Sequence, residues 1–145
     1  MDTKSEIAIE IFSKGFNCAQ AVLASHSSDF GMDSATARKV AGAFGGGMAY
    51  SGEACGAVTG ALMLIGLKYG MHIEGDKDSK EKTYRIASEF ISKFKKEYGS
   101  VKCTDLIKYD LAADETLKKA REAGVFKTIC PLLVKRAVEL AEELL

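Results

Sequence analysis

Four cysteines are the residues of this chain with the clearest capacity for redox or metal chemistry: Cys18, Cys55, Cys103 and Cys130. A cysteine thiolate is a nucleophile, a disulfide former and a soft metal ligand. The sequence contains no C-x-x-C pair, so it has neither the thioredoxin-type motif nor the usual zinc-ribbon spacing. Dispersed cysteines are also common as small buried hydrophobic residues. Spacing alone therefore leaves both a functional site and simple packing open.

Each cysteine falls at the predicted start of a different helix. Cys18 follows Asn17, which is a good N-cap residue, and Cys130 precedes the only proline, which is tolerated in the first turn of a helix. Cys55 and Cys103 each follow a serine by three or four residues. Free N–H groups and the positive end of the helix dipole stabilise a thiolate at such positions. We therefore expect lowered thiol pKa values, with Cys55 as the most reactive thiolate.

Helices must position these cysteines, because proline is nearly absent and alternating apolar–polar runs are scarce. Residues 74–82 are predicted to form a charged connection before the longest helix. The sequence predicts an all-α fold, a single domain over residues 1–145 with about seven or eight helices in one bundle. The predicted helices cover residues 3–14, 18–30, 35–44, 53–69, 83–98, 103–108, 114–123 and 128–145.

Charge and hydropathy exclude several classes of protein. Twenty basic residues balance 20 acidic ones, so there is no basic surface of the kind that nucleic acids require. The longest uncharged stretch near the middle, residues 54–67, is shorter than the ~20 residues that span a bilayer. The mixed-charge N-terminus does not resemble a signal peptide. We expect a soluble cytoplasmic protein, in a compartment where thiols are normally kept reduced.

The glycines around Cys55 have two interpretations. Gly56 and Gly60 lie four residues apart in the fourth predicted helix, so one helix face lacks two side chains. Such a face permits tight packing against another helix. It can also leave room for a cofactor, which would make Gly56 and Gly60 cofactor-binding residues. Before them, Gly45-Gly46-Gly47 lacks the lysine of a phosphate-binding loop and is interpreted as a flexible turn that presents Cys55.

Two charged residues lie near cysteines in the sequence. Glu53 precedes Cys55 by two residues and could move a proton, and Lys102 adjoins Cys103 and could help to ionise it. Both positions are also typical of solvated residues at the start of a helix.

The order of these motifs resembles a known family. One cysteine stands in a C-G-A-x-x-G motif, with one cysteine before it and two single cysteines after it: Cys55-Gly56-Ala57-Val58-Thr59-Gly60, Cys18, Cys103 and Cys130. This pattern resembles the C_GCAxxG_C_C family of small redox-active proteins, over nearly the whole chain. The resemblance implies a redox role for the four cysteines. A similar domain in split-Soret cytochromes implies that they can hold an iron–sulfur centre.

We therefore predict a redox protein whose four cysteines converge at one site. Two chemistries remain open: thiol–disulfide exchange, and electron transfer through an iron–sulfur cluster or another metal with all four cysteines as ligands. The expected partner is a redox protein or a small thiol or disulfide substrate, with no nucleic acid and no membrane span. A homodimer is compatible with the strongly apolar helices. The alternative is a structural or partner-binding helical module with a zinc site or with inert, packed cysteines.

Overall fold

The computed structural model describes residues 2–145, and the regular secondary-structure elements among them are all helices. Two single turns, Gly45–Met48 and Val125–Thr128, and a 3-10 helix, Ser27–Phe30, lie between the longer elements. The predicted all-α fold of about seven or eight helices is confirmed. Eight α-helices have five or more residues: α1 Lys4–Ser13, α2 Cys18–His26, α3 Ser34–Val40, α4 Gly56–Tyr69, α5 Lys77–Tyr98, α6 Cys103–Ile107, α7 Asp114–Ala123 and α8 Cys130–Glu142.

The predicted boundaries differ from the structure in two places. The charged segment 74–82 is helical from Lys77 onward, because Asp76 accepts a hydrogen bond from the backbone N–H of Ser79 and caps α5. Helix α4 begins at Gly56 rather than near residue 53, because residues 52–55 pair with another extended segment instead. A run of charges is therefore compatible with an exposed helix.

Helix α2 lies at the centre of the larger of two hydrophobic clusters. All of its residues from Ala21 to His26 are buried, and it packs against α1, α3 and α4. The larger cluster includes Cys55, and the smaller one is built around Cys103, Cys130 and the loop that follows α6. Phe12, Cys18 and Ile129 contact both clusters. The four cysteines therefore lie where the two clusters meet.

The glycine-spaced face of α4 packs directly against α2. A Cβ atom on Gly60 would lie 2.9 Å from the carbonyl oxygen of Ala19 and 3.0 Å from the Cβ atom of Val22. The space beside Gly60 is thus filled by α2, which is the packing interpretation of the motif.

Although α4 is the most apolar of the long helices, no helix within residues 2–145 has the length and hydropathy to cross a membrane.

We predict that Gly60→Ala lowers the free energy of unfolding by about 1–3 kcal/mol, because the added methyl group collides with the α2 backbone. Gly66→Ala is the matched control in the same helix, since a Cβ atom there meets no atom within 4 Å. It should raise the free energy of unfolding by about 0.5–1 kcal/mol through helix propensity. Urea unfolding followed by circular dichroism measures both changes, and equal effects of the two substitutions would contradict the packing role of Gly60.

Candidate functional site

One cavity of about 960 Å³ is lined by all four cysteines. It lies at the starts of α2, α4, α6 and α8, with the end of α1 and residues 42–50 completing its walls. Cys55, Cys103 and Cys130 are buried, whereas Cys18 is half-buried. No disulfide joins them, so all four are free thiols.

Every cysteine stands at the beginning of a helix, as predicted. Cys18, Cys103 and Cys130 are the first residues of α2, α6 and α8, and Cys55 is the N-cap of α4. The start of α2 is fixed by Asn17, whose side-chain oxygen accepts the N–H of Gln20 while the Gln20 side chain accepts the N–H of Asn17. Pro131 lies in the first turn of α8, where no N–H donor is needed. These local signals fix which helix ends carry the thiols.

A short antiparallel pairing joins the segments that precede α4 and α6. The N–H of Cys55 donates to the carbonyl of Val101 at 2.8 Å, and the N–H of Cys103 donates to the carbonyl of Glu53 at 2.6 Å. Ala54 and Lys102 face each other between these bonds. The pairing holds the starts of α4 and α6 side by side and sets Cys55 and Cys103 on neighbouring parts of the cavity wall.

Residues 46–50 form a left-handed turn beside these two cysteines. All five have positive φ angles, from 54° at Ala49 to 71° at Met48, and three of them are not glycine. A left-handed conformation costs roughly 1–2 kcal/mol for each non-glycine residue. Hydrogen bonds from the Ser51 hydroxyl and the Glu53 N–H to the carbonyl of Gly47 hold the turn in place. The segment that was interpreted as a flexible turn is thus a regular left-handed one.

Glycines at this turn and in α4 allow the thiols to approach each other. A Cβ atom on Gly47 would lie 2.7 Å from the Cβ atom of Cys103, and one on Gly56 would lie 3.1 Å from the Cβ atom of Cys18. Gly56 also lines the cavity, whereas Gly60 does not. Of the two glycines that were expected near a cofactor, only Gly56 lies at the site.

Cys18 and Cys130 form a coupled pair of thiols. A hydrogen-bonding interaction between the two thiols, together with the backbone N–H of Cys130, lowers the pKa of Cys130, although burial acts in the opposite direction. The pKa of Cys18 is raised by the same hydrogen bond, by burial and by the charges that the other three cysteines carry when ionised. Of the two thiols, Cys130 therefore loses its proton at lower pH than Cys18 does.

Cys55 and Cys103 favour their neutral forms. Burial raises the pKa of Cys55 to about 11, although the backbone N–H groups of Ala57 and Val58 act in the opposite direction. Burial, followed by the charges of Cys55 and Cys130, raises the pKa of Cys103 to about 12. The expectation of a lowered pKa at Cys55 is therefore wrong, because the loss of solvation outweighs the effect of the helix N-terminus.

The charged residue on the cavity wall is Lys127, which the sequence analysis did not identify. Glu53 and Lys102 are exposed and do not line the cavity, and neither contributes to the shifted pKa values of Cys55 and Cys103. Lys127 lies three residues before Cys130, which is about one helical turn, and this spacing could have identified it in the sequence. Most of the aromatic residues on the cavity wall have no such spacing relative to a cysteine.

Within the described part of the chain, no three His, Cys, Asp or Glu side chains are grouped closely enough to hold a metal ion. The four thiols have the soft donor chemistry that iron–sulfur clusters and zinc require. Their spacing in this structure, however, does not gather three ligands around a single ion.

The cysteine pattern is also recognised at the level of the family. Residues 16–144 match the family model described as "Putative redox-active protein (C_GCAxxG_C_C)". The chain belongs to the C_GCAxxG_C_C family. Comparison with curated proteins and with solved structures gives no match. The matched region contains all four cysteines of the cavity, so the C_GCAxxG_C_C pattern corresponds in this chain to one set of neighbouring thiols.

We predict that Cys130 is the first cysteine to be alkylated by iodoacetamide at pH 7, by at least about tenfold over Cys55 and Cys103, because only thiolates react. Cys18→Ala removes the hydrogen-bond donor, so the pKa of Cys130 should rise and its alkylation at pH 7 should slow. Cys55→Ala is the control, since Cys55 does not contribute to the lowered pKa of Cys130. Peptide mass spectrometry over a pH series measures these rates, and faster labelling of Cys55 than of Cys130 would contradict the assignment.

Proposed function

We propose that this protein is a dithiol redox protein in which Cys130 is the nucleophile and Cys18 is the resolving thiol. The observation that carries the proposal is that Cys18 packs against the cluster containing Cys130 on the wall of a cavity large enough for a substrate, where the interaction between the two thiols shifts their pKa values in opposite directions. It combines a cysteine of lowered pKa with a second, protonated cysteine in contact with it. A nucleophilic and a resolving thiol need this arrangement.

The proposed reaction reduces a disulfide to two thiols. The Cys130 thiolate attacks one sulfur of the substrate disulfide, so that a bond between Cys130 and that sulfur forms while the substrate S–S bond breaks. The other substrate sulfur leaves as a thiolate and takes up a proton from solvent.

Cys18 then completes the reaction. It gives up its proton and attacks the Cys130 sulfur, which forms a Cys18–Cys130 disulfide and releases the second half of the substrate as a thiolate that the proton neutralises. The protein dithiol is oxidised by two electrons, and the substrate is reduced by the same two electrons. A dithiol reductant returns the protein to its starting state by the reverse exchange.

A second candidate function is a four-thiolate metal centre. The observation in its favour is that the charges of Cys55, Cys103 and Cys130 all raise the pKa of Cys18, so four ionised sulfurs would repel one another in this cavity. A bound cation or cluster would offset that repulsion and lower all four pKa values. Because the present spacing does not collect three ligands for one ion, we derive no reaction step through such a centre.

The test is a single-turnover reaction of the reduced protein with hydroxyethyl disulfide. Wild-type protein should release two equivalents of mercaptoethanol per chain, and Cys130→Ser should release none. Cys18→Ser should release one equivalent and retain the other on Cys130, because the serine hydroxyl can still donate to the thiolate but cannot form a disulfide. Cys103→Ser is the matched control and should release two. Full release by Cys130→Ser would overturn the proposal.

The same preparation, purified without oxygen, tests the second candidate. Visible charge-transfer absorption with stoichiometric iron and sulfide would replace the dithiol proposal by an iron–sulfur centre. Stoichiometric zinc without colour would replace it by a structural site.

A further inference from the structure

The cavity has aromatic side chains on the parts of its wall that carry no thiol. Phe12 and Phe16 come from the end of α1 and the turn after it, Tyr50 from the left-handed turn, and Phe126 from the single helical turn before α8. Pockets of roughly 300–1,000 Å³ with mostly apolar walls are typical of small-molecule sites, and this cavity of about 960 Å³ lies within that range. Its size and its lining both suit an apolar ring system.

The cavity wall carries one charged side chain among the residues that the structure describes, and that side chain is Lys127. No carboxylate of residues 2–145 forms an ion pair with it. Its charge is also not a cause of the lowered pKa of Cys130. The Lys127 ammonium group is therefore free to pair with a ligand. The guanidinium group of Arg121, which does not line the cavity, lies 5.8 Å from the centre of the ring of Tyr50, which does.

We propose that the cavity binds a small aromatic molecule with one anionic group. The ring system packs against Phe16, Tyr50 and Phe126, and the anionic group pairs with the Nζ atom of Lys127. A cationic ligand is disfavoured because no carboxylate lines the cavity. A strongly polar ligand is disfavoured because its polar groups would lose water and contact aromatic side chains instead. If the proposed thiol function holds, aromatic disulfides with an acidic group are the substrate class that this cavity selects.

The experiment is an NMR titration of isotope-labelled Cys130→Ser protein with 2-naphthoate and, separately, with the neutral 2-naphthamide. The serine variant removes the nucleophile, so the binding test does not depend on redox activity. We expect both ligands to shift the amide signals of residues 42–56 and 126–131. Adding Lys127→Gln should weaken the affinity for 2-naphthoate about threefold, the size of an exposed charge pair, and should leave that for 2-naphthamide unchanged.

Lys135→Gln is the matched control, because Lys135 is an exposed lysine of α8 that does not line the cavity. It should leave both affinities unchanged. Phe126→Ala should weaken the affinity for both ligands by a similar factor. If this substitution impairs folding, the comparison of the two lysine variants still tests the proposal. The proposal is overturned if neither ligand shifts the cavity signals, or if Lys127→Gln and Lys135→Gln have the same effect. Loss of disulfide reduction with intact ligand binding would instead count only against the proposed thiol function.

Discussion

The close approach of α2 and α4 is the contact on which the rest of the site depends. Glycines at positions 56 and 60 let the backbone of α2 reach α4 at distances that a Cβ atom would prevent. This contact brings the starts of both helices to one place, and the antiparallel pairing before α4 then adds the start of α6. The position of the cavity and its thiols therefore depends on this helix packing, which requires glycine, with no side chain, at positions 56 and 60.

The same geometry also sets the order of the thiol pKa values. A helix N-terminus favours a thiolate, yet three of the four cysteines have raised pKa values. Loss of solvation raises the pKa values of Cys55 and Cys103, whereas the interaction with Cys130, followed by burial, raises that of Cys18. Cys130 differs because its interaction with the Cys18 thiol lowers its pKa. Of four similar positions at helix starts, this is the one that we propose as the nucleophile. The net charge of zero contributes no overall positive field, so these local interactions set the order.

Structural features that are set by residues close together in the sequence could be predicted from it. Asn17 and Pro131 mark helix starts through local hydrogen bonding and ring geometry, and the cysteines beside them lie where those signals place them. The left-handed conformation of Met48, Ala49 and Tyr50 was not predictable, because local sterics oppose it and the hydrogen bonds that hold it form only once residues 47–53 have their folded conformation. The order of the thiol pKa values was missed for the same reason, since burial is a property of the whole fold.

If Cys18 and Cys130 are the redox pair that we propose, oxidation of the reduced protein joins these two cysteines and no others. The most direct measurement is oxidation of the reduced protein with one equivalent of diamide, followed by peptide mapping of the disulfide without reduction. We expect a monomer lighter by two hydrogen atoms, with a Cys18–Cys130 disulfide and with Cys55 and Cys103 as free thiols. A disulfide between Cys55 and Cys103, or four thiols that resist oxidation, would contradict it.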